Sequence, residues 1–189
     1  MDSILLGYSE TVSHRILIPI FLVRLQVPLP ENVMQQFNID EIKQFISQQS
    51  PDTKIYLGAD SERVSAGKYW MAEYYIAVVV HIDGKHGCKV FGNITRERDY
   101  DQRHDKPALR LMGEVYKVAQ LFNELSDVLQ DRYVEVHLDI NPDDRYASSQ
   151  VVSQAIGYIR GTCNIEAQVK PQAFAASYAA DRLKFILSN

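Results

Sequence analysis

The run YWMAEYYIAVVVHI (69–82) constrains the fold most, because its aromatic and β-branched residues suit a pleated strand and little else. It is followed by DGKHG (83–87), an Asp-Gly hairpin signal, and then by CKVFGNIT, which reads as a return strand. Upstream, SPDT turns the chain into KIYLGADS, a strand expected to end at Asp60. Three strands joined by short turns make an antiparallel meander.

After the meander the pattern changes. PALRLMGEVYKVAQLFNELSDVL reads as one long helix with Pro107 at its start, and RYVEVHLDI as a fourth strand. SSQVVSQAIGYIRG is a helix for which Gly161 supplies the expected stop. CNIEAQVKP is a fifth strand, and AFAASYAADRLKFIL a closing helix. Before the meander, NIDEIKQFISQQ is a short helix capped by Asn38, with Ile42, Phe45 and Ile46 on its apolar face. The expected fold is α/β: a five-stranded mixed sheet, antiparallel over β1-β2-β3 and continued as α-β-α-β-α, flanked by helices.

The chain has 189 residues, the usual size of one domain, and its 46% hydrophobic content is ordinary for a globular protein. Residues 1–37 read as an N-terminal arm and 38–189 as the domain. Within RILIPIFLVRLQVPLP (15–30), Pro19 and Arg24 interrupt the only membrane-like run, leaving 16–23 too short to span. No convincing signal-cleavage site follows. Cys88 and Cys163 match no metal or disulfide spacing, which fits a reduced, cytoplasmic setting. A net charge of −4 and a pI of about 5.7 argue against a protein that coats nucleic acid through a basic surface. They do not exclude an enzyme acting on nucleic acid, because a carboxylate cluster itself makes a site acidic.

Four acids fall where chemistry can use them. Asp60 and Asp139 sit at the ends of strands that can lie parallel and adjacent, at the carboxyl edge where open α/β sheets bind ligands. Glu114 borders the apolar stripe of Leu111, Val115, Val118, Phe122 and Leu125, and Gly113 beside it permits close approach of a neighbour. Asp181, in SYAADRLK, lies near a packed face. Singly, each has an ordinary explanation as a turn former, solvated acid or ion-pair partner. Together they repel one another unless cations intervene, and hard oxygen ligands suit Mg²⁺ or Mn²⁺. Two such ions would clamp a phosphodiester.

Other chemistry finds little support. DINPDD (139–144) imitates a calcium loop but has Asp144 where glycine belongs and Gln150 where the bidentate glutamate belongs. No P-loop, GxGxxG, GxSxG, HExxH or DxDx[TV] pattern is present, and the histidines show no ligand spacing. His137 reads as a packed histidine more readily than as support for Asp139. The loop 96–106, with Arg96, Arg98, Arg103, Lys106 and nearby Arg110, is either a strand-holding element or a mobile solvated loop.

The element order, with acids on β1, the first long helix, β4 and the last helix, resembles the ribonuclease H-like superfamily. YLGADSE, VHLDINPDD…SSQVVSQAIGYIRG and QVKPQAFAASYAADR are similar to the YkuK-type family of predicted nucleases, over roughly residues 53–187. The resemblance implies Asp60, Glu114, Asp139 and Asp181 as catalytic metal ligands for two Mg²⁺ or Mn²⁺ ions, with RNA, DNA or a hybrid as substrate. Lys170 and Ser177 match the family ending, and the glycine-poor LDINPDD turn makes Asp143 a competitor to Asp139. The alternative is a catalytically inactive module of the same fold that binds nucleic acid or a protein partner.

Overall fold

A computed structural model describes residues 37–103 and 105–180. The expected arm lies outside the described residues apart from Phe37, and so do His104 and Asp181. Five strands form one sheet in the order β3-β2-β1-β4-β5. Strands β1 (Lys54–Ala66), β2 (Tyr69–His81) and β3 (Cys88–Arg98) make the antiparallel meander. Strand β4 (Tyr133–Leu138) pairs parallel with β1, and β5 (Ala167–Gln168) pairs parallel with β4. The mixed α/β sheet expected from the sequence is therefore the one observed.

Helices α1 (Ile39–Ser47), α2 (Ala108–Glu124) and α4 (Val152–Cys163) join the sheet in one core. The two-residue period of β1 sends Ile55, Leu57 and Ala59 to that side, where they meet Ile76, Val78 and Val80 of β2 and Leu111, Val115 and Val118 of α2. Each fully buried isoleucine or leucine there contributes about 1.5–3 kcal/mol. The opposite face carries a smaller cluster, Tyr75 and Ala77 against Ala179 and Ala180 of a π-type segment, Ala175–Ala180. No helix among the described residues is long and apolar enough to cross a membrane.

Several boundaries differ from the expectation, each for a local reason. Strand β1 does not end at Asp60 but runs six residues further, because β2 pairs with it through Ala66↔Tyr69. Gly67, at φ +68°, makes the two-residue turn that permits this. The single long helix divides at Leu125 into α2 and α3 (Ser126–Leu129). Helix α4 passes Gly161 and stops at Cys163, because Asn164 takes the left-handed conformation at φ 56°. Strand β5 is cut to two residues, after which the Lys170 amide donates to the Ile140 carbonyl at 3.0 Å.

Gly113 sets how closely α2 sits on the sheet. A Cβ at this position would lie 2.8 Å from Cζ of Tyr74 on β2, and closer still to its hydroxyl. Alanine would favour the helix by about 1 kcal/mol, whereas overpacking costs about 1–3 kcal/mol. Gly113→Ala is expected to destabilise the protein by about 1 kcal/mol in urea unfolding, with a smaller loss in a Tyr74→Phe background.

Candidate functional site

The parallel rungs between β1 and β4 run from Lys54↔Tyr133 to Ala59↔Leu138 and then stop. Asp60 and Asp139 are the next residue on each strand, so register alone sets both aspartates at one opening of the sheet. Asp60 is partly buried, and one of its carboxylate oxygens accepts the Ser61 amide at 2.7 Å. Strand alternation turns Ser61 to the helix side, toward α2.

There it meets Glu114. This side chain is 2% exposed, deeper than the border of the apolar stripe that its helix position suggested. The Ser61 hydroxyl donates to Glu114 Oε1 and accepts from Arg110 Nη1 at 2.6 Å. Arg110 also donates to the Ser61 carbonyl and stands 4.0 Å from Glu114 Oε1, one helical turn earlier on α2. Glu114 Oε2 is buried and meets no hydrogen-bond donor among the described residues. A carboxylate oxygen so placed is costly unless a cation or a proton reaches it.

Burial, then the negative charge of Asp60, drives the Glu114 carboxyl well above the ordinary glutamate range, and Asp139 adds to the rise. The Ser61 hydrogen bond and Arg110 oppose it without cancelling it. Both aspartates therefore raise the pKa of this one buried carboxyl. Among the described residues, however, no three carboxylate, histidine or cysteine side chains stand close enough together to hold a metal ion.

Lys170 completes the opening. Its ammonium bonds both Asp139 oxygens, at 2.9 and 3.0 Å, while remaining partly exposed. Asp143, the alternative to Asp139, likewise bonds a cation through both oxygens, here the exposed Arg145 guanidinium. His137, two residues before Asp139, is fully buried and packs against Phe174 and Tyr56. Its Nδ1 accepts the Ala175 amide at 2.9 Å, which leaves Nε2 to donate to Glu135 at 2.7 Å. Burial pushes its pKa down despite Glu135, so a neutral imidazole ties β4 to the start of the 175–180 segment.

Several charged residues of the loop are tied down by partners. Asp101 is buried and caps α2, its two oxygens accepting the Leu109 and Arg110 amides at 2.9 Å each. Arg63 bonds Asp99 at 2.5 Å and also the Asp101 carbonyl. Arg96 pairs with Glu73, and Arg103 with Asp105 at 2.6 Å. Arg110, expected among the strand-holding cations, instead points inward to Ser61 and Glu114. Sequence reasoning gave Ser61 no role of its own. Its adjacency to Asp60 and the Arg110–Glu114 spacing of four were the available signals.

A carboxyl whose pKa rises on folding stabilises the fold while protonated and loses that contribution as pH climbs through the raised value. In the presence of a chelator, stability should therefore decline as pH rises above the ordinary glutamate value of 4.5. Glu114→Gln should flatten that decline, as read from thermal unfolding between pH 4.5 and 8.

A family model described as Ribonuclease H-like matches residues 38–184. No curated protein and no solved structure matches the chain.

Proposed function

Since the chain belongs to the ribonuclease H-like family, we propose that it is a metal-dependent nuclease that hydrolyses phosphodiester bonds of RNA or DNA. The observation that carries this reading is Glu114 Oε2, a buried carboxylate oxygen without a donor among the described residues, under the charges of Asp60 and Asp139. A divalent cation would satisfy that oxygen and relieve the repulsion among the three acids, and the oxygen-only donor set suits Mg²⁺ or Mn²⁺. In this reading Asp60, Glu114 and Asp139 hold two ions, with Asp181 as the fourth acid. When bound, such ions supply an activated water and neutralise the leaving oxygen.

The remaining residues prepare the site. Ser61 fixes one oxygen of Glu114, while a single Arg110 nitrogen donates to both the carbonyl and the hydroxyl of Ser61. Lys170 balances Asp139 and is exposed enough to reach a phosphate once an ion displaces it. The D-S step at residues 60–61 and the KPQAFAASYAADR ending support placement in the YkuK-type branch of the family. Two free cysteines support a reducing, cytoplasmic setting, and the family match beginning at residue 38 supports an arm over 1–37 preceding one domain.

The second reading, a catalytically inactive module that binds nucleic acid or a protein partner, draws on the Lys170–Asp139 pair. An internal cation already occupies one carboxylate. It also draws on the lack of a preformed three-residue metal cage among the described residues.

Purified protein should cleave labelled RNA, DNA or hybrid in Mg²⁺ or Mn²⁺, with a loss of at least about 100-fold in Asp60→Asn and in Asp139→Asn. Cleavage unchanged in both variants rejects the assignment. Lys170 competes with metal for Asp139, so Lys170→Met should tighten Mn²⁺ binding by about two- to fivefold in calorimetry. A weakened affinity would instead make Lys170 a support of the metal site.

A further inference from the structure

The antiparallel ribbon formed by the far halves of β1 and β2, with the end of β3, runs on past the carboxylate opening. At its tip three large aromatic side chains are more than half exposed: Tyr69 (55%), Trp70 (51%) and Tyr100 (69%). Clustering of exposed aromatics marks a binding surface rather than a random surface residue. Arginines organise them. The Arg98 guanidinium lies 4.6 Å from the Tyr69 ring centre and 5.6 Å from that of Tyr100, and Arg63 lies 5.4 Å from that of Trp70.

Register places the Arg98 group relative to the acids. Along β1, Asp60, Glu62, Val64 and Ala66 share one face. Ala66 pairs with Tyr69, and Met71 pairs with Arg98, so Tyr69 and Arg98 lie on that same face. Arg63 and Trp70 lie on the other. Six residues of strand separate Asp60 from Ala66, a span of about 20 Å. Stacked nucleotides advance about 3.4 Å each, so about six of them would bridge the platform and the opening.

The charge of the tip also favours a polyanion. Residues 63–71 and 98–100 hold Arg63, Lys68 and Arg98 against the single acid Asp99, within a chain of net charge −4. Arg63 is bonded to Asp99, whereas Arg98 is exposed and, among the described residues, contacts the Tyr69 and Tyr100 rings. Every base has a π-face, and a stacked aromatic–arginine surface accepts bases without reading their edges. Paired bases in a duplex do not offer those faces. We propose that the Tyr69–Arg98–Tyr100 platform binds unpaired bases, so that the protein's nucleic-acid partner is single-stranded where it leaves the Asp60–Asp139 opening. This rests on the nuclease reading for its substrate class but not for its geometry.

Fluorescence anisotropy in a chelator, where cleavage cannot occur, tests it with a labelled oligonucleotide offered single-stranded and as its duplex. The single strand should bind more tightly. Tyr69→Ala and Tyr100→Ala should each weaken it by about tenfold, with the slope of affinity against salt unchanged. Arg98→Ala should also lower that slope by about one. All three residues are exposed, so thermal unfolding should register little change and certifies that the variants are folded. Equal affinity for duplex and single strand, or undiminished binding in the double Tyr69→Ala, Tyr100→Ala variant, overturns the proposal. So does a wild-type protein that ignores both oligonucleotides but self-associates in sedimentation through this tip. Binding lost in the tyrosine variants of a protein that never cleaves would refute the nuclease and keep the platform. Cleavage with tip-independent binding would do the reverse.

Discussion

A carboxylate removed from water must find a cation, a donor or a proton, and Glu114 has found half of what it requires. One oxygen takes the Ser61 hydroxyl, and the other meets no donor among the described residues. Asp60 and Asp139 add charge of the same sign. The surrounding structure is arranged to keep the acid in place. Gly113 lets α2 approach Tyr74, Asp101 fixes the first turn of the helix, and Arg110 reaches from that turn to Ser61. The site is therefore a strained electrostatic balance held by well-satisfied neighbours, the pattern expected where function outweighs stability.

The topology makes that balance available. Placing β4 beside β1 in parallel, after an antiparallel meander, leaves a gap where β4 ends and β1 continues along β2. Both aspartates stand on the first residues beyond the last shared rung. The same asymmetry produces the protruding ribbon, because β1 keeps one partner after losing the other. One sheet thus supplies a recessed acidic opening and an exposed aromatic tip.

Much of this was legible in the chain. Strand alternation, the Asp-Gly turn and the switch to helical periodicity gave the element order, and Asn38 marked its helix correctly. Asp60, Glu114 and Asp139 stood out because acids at expected strand ends and on a packing helix contradict the hydrophobic pattern, although β1 runs on past Asp60. The rest depended on tertiary choices that periodicity does not encode. The turn at Gly67 extended β1, the left-handed Asn164 displaced the stop from Gly161, and buried Asp101 converted an apparently solvated loop into a helix cap. Arg110 looked like one more surface cation, since its direction is set by Ser61, a residue distant in sequence. Asp181 lies outside the described residues, so its part in the site is a proposal from the family pattern.

The central claim is that Glu114, Asp60 and Asp139 form one unit whose repulsion a divalent ion relieves. Calorimetric titration of the wild-type protein and Glu114→Gln with Mn²⁺ at neutral pH addresses it most directly. The account predicts saturable binding by the wild type and at least about tenfold weaker binding by the variant. Absence of binding, or equal affinity in the two proteins, would contradict it.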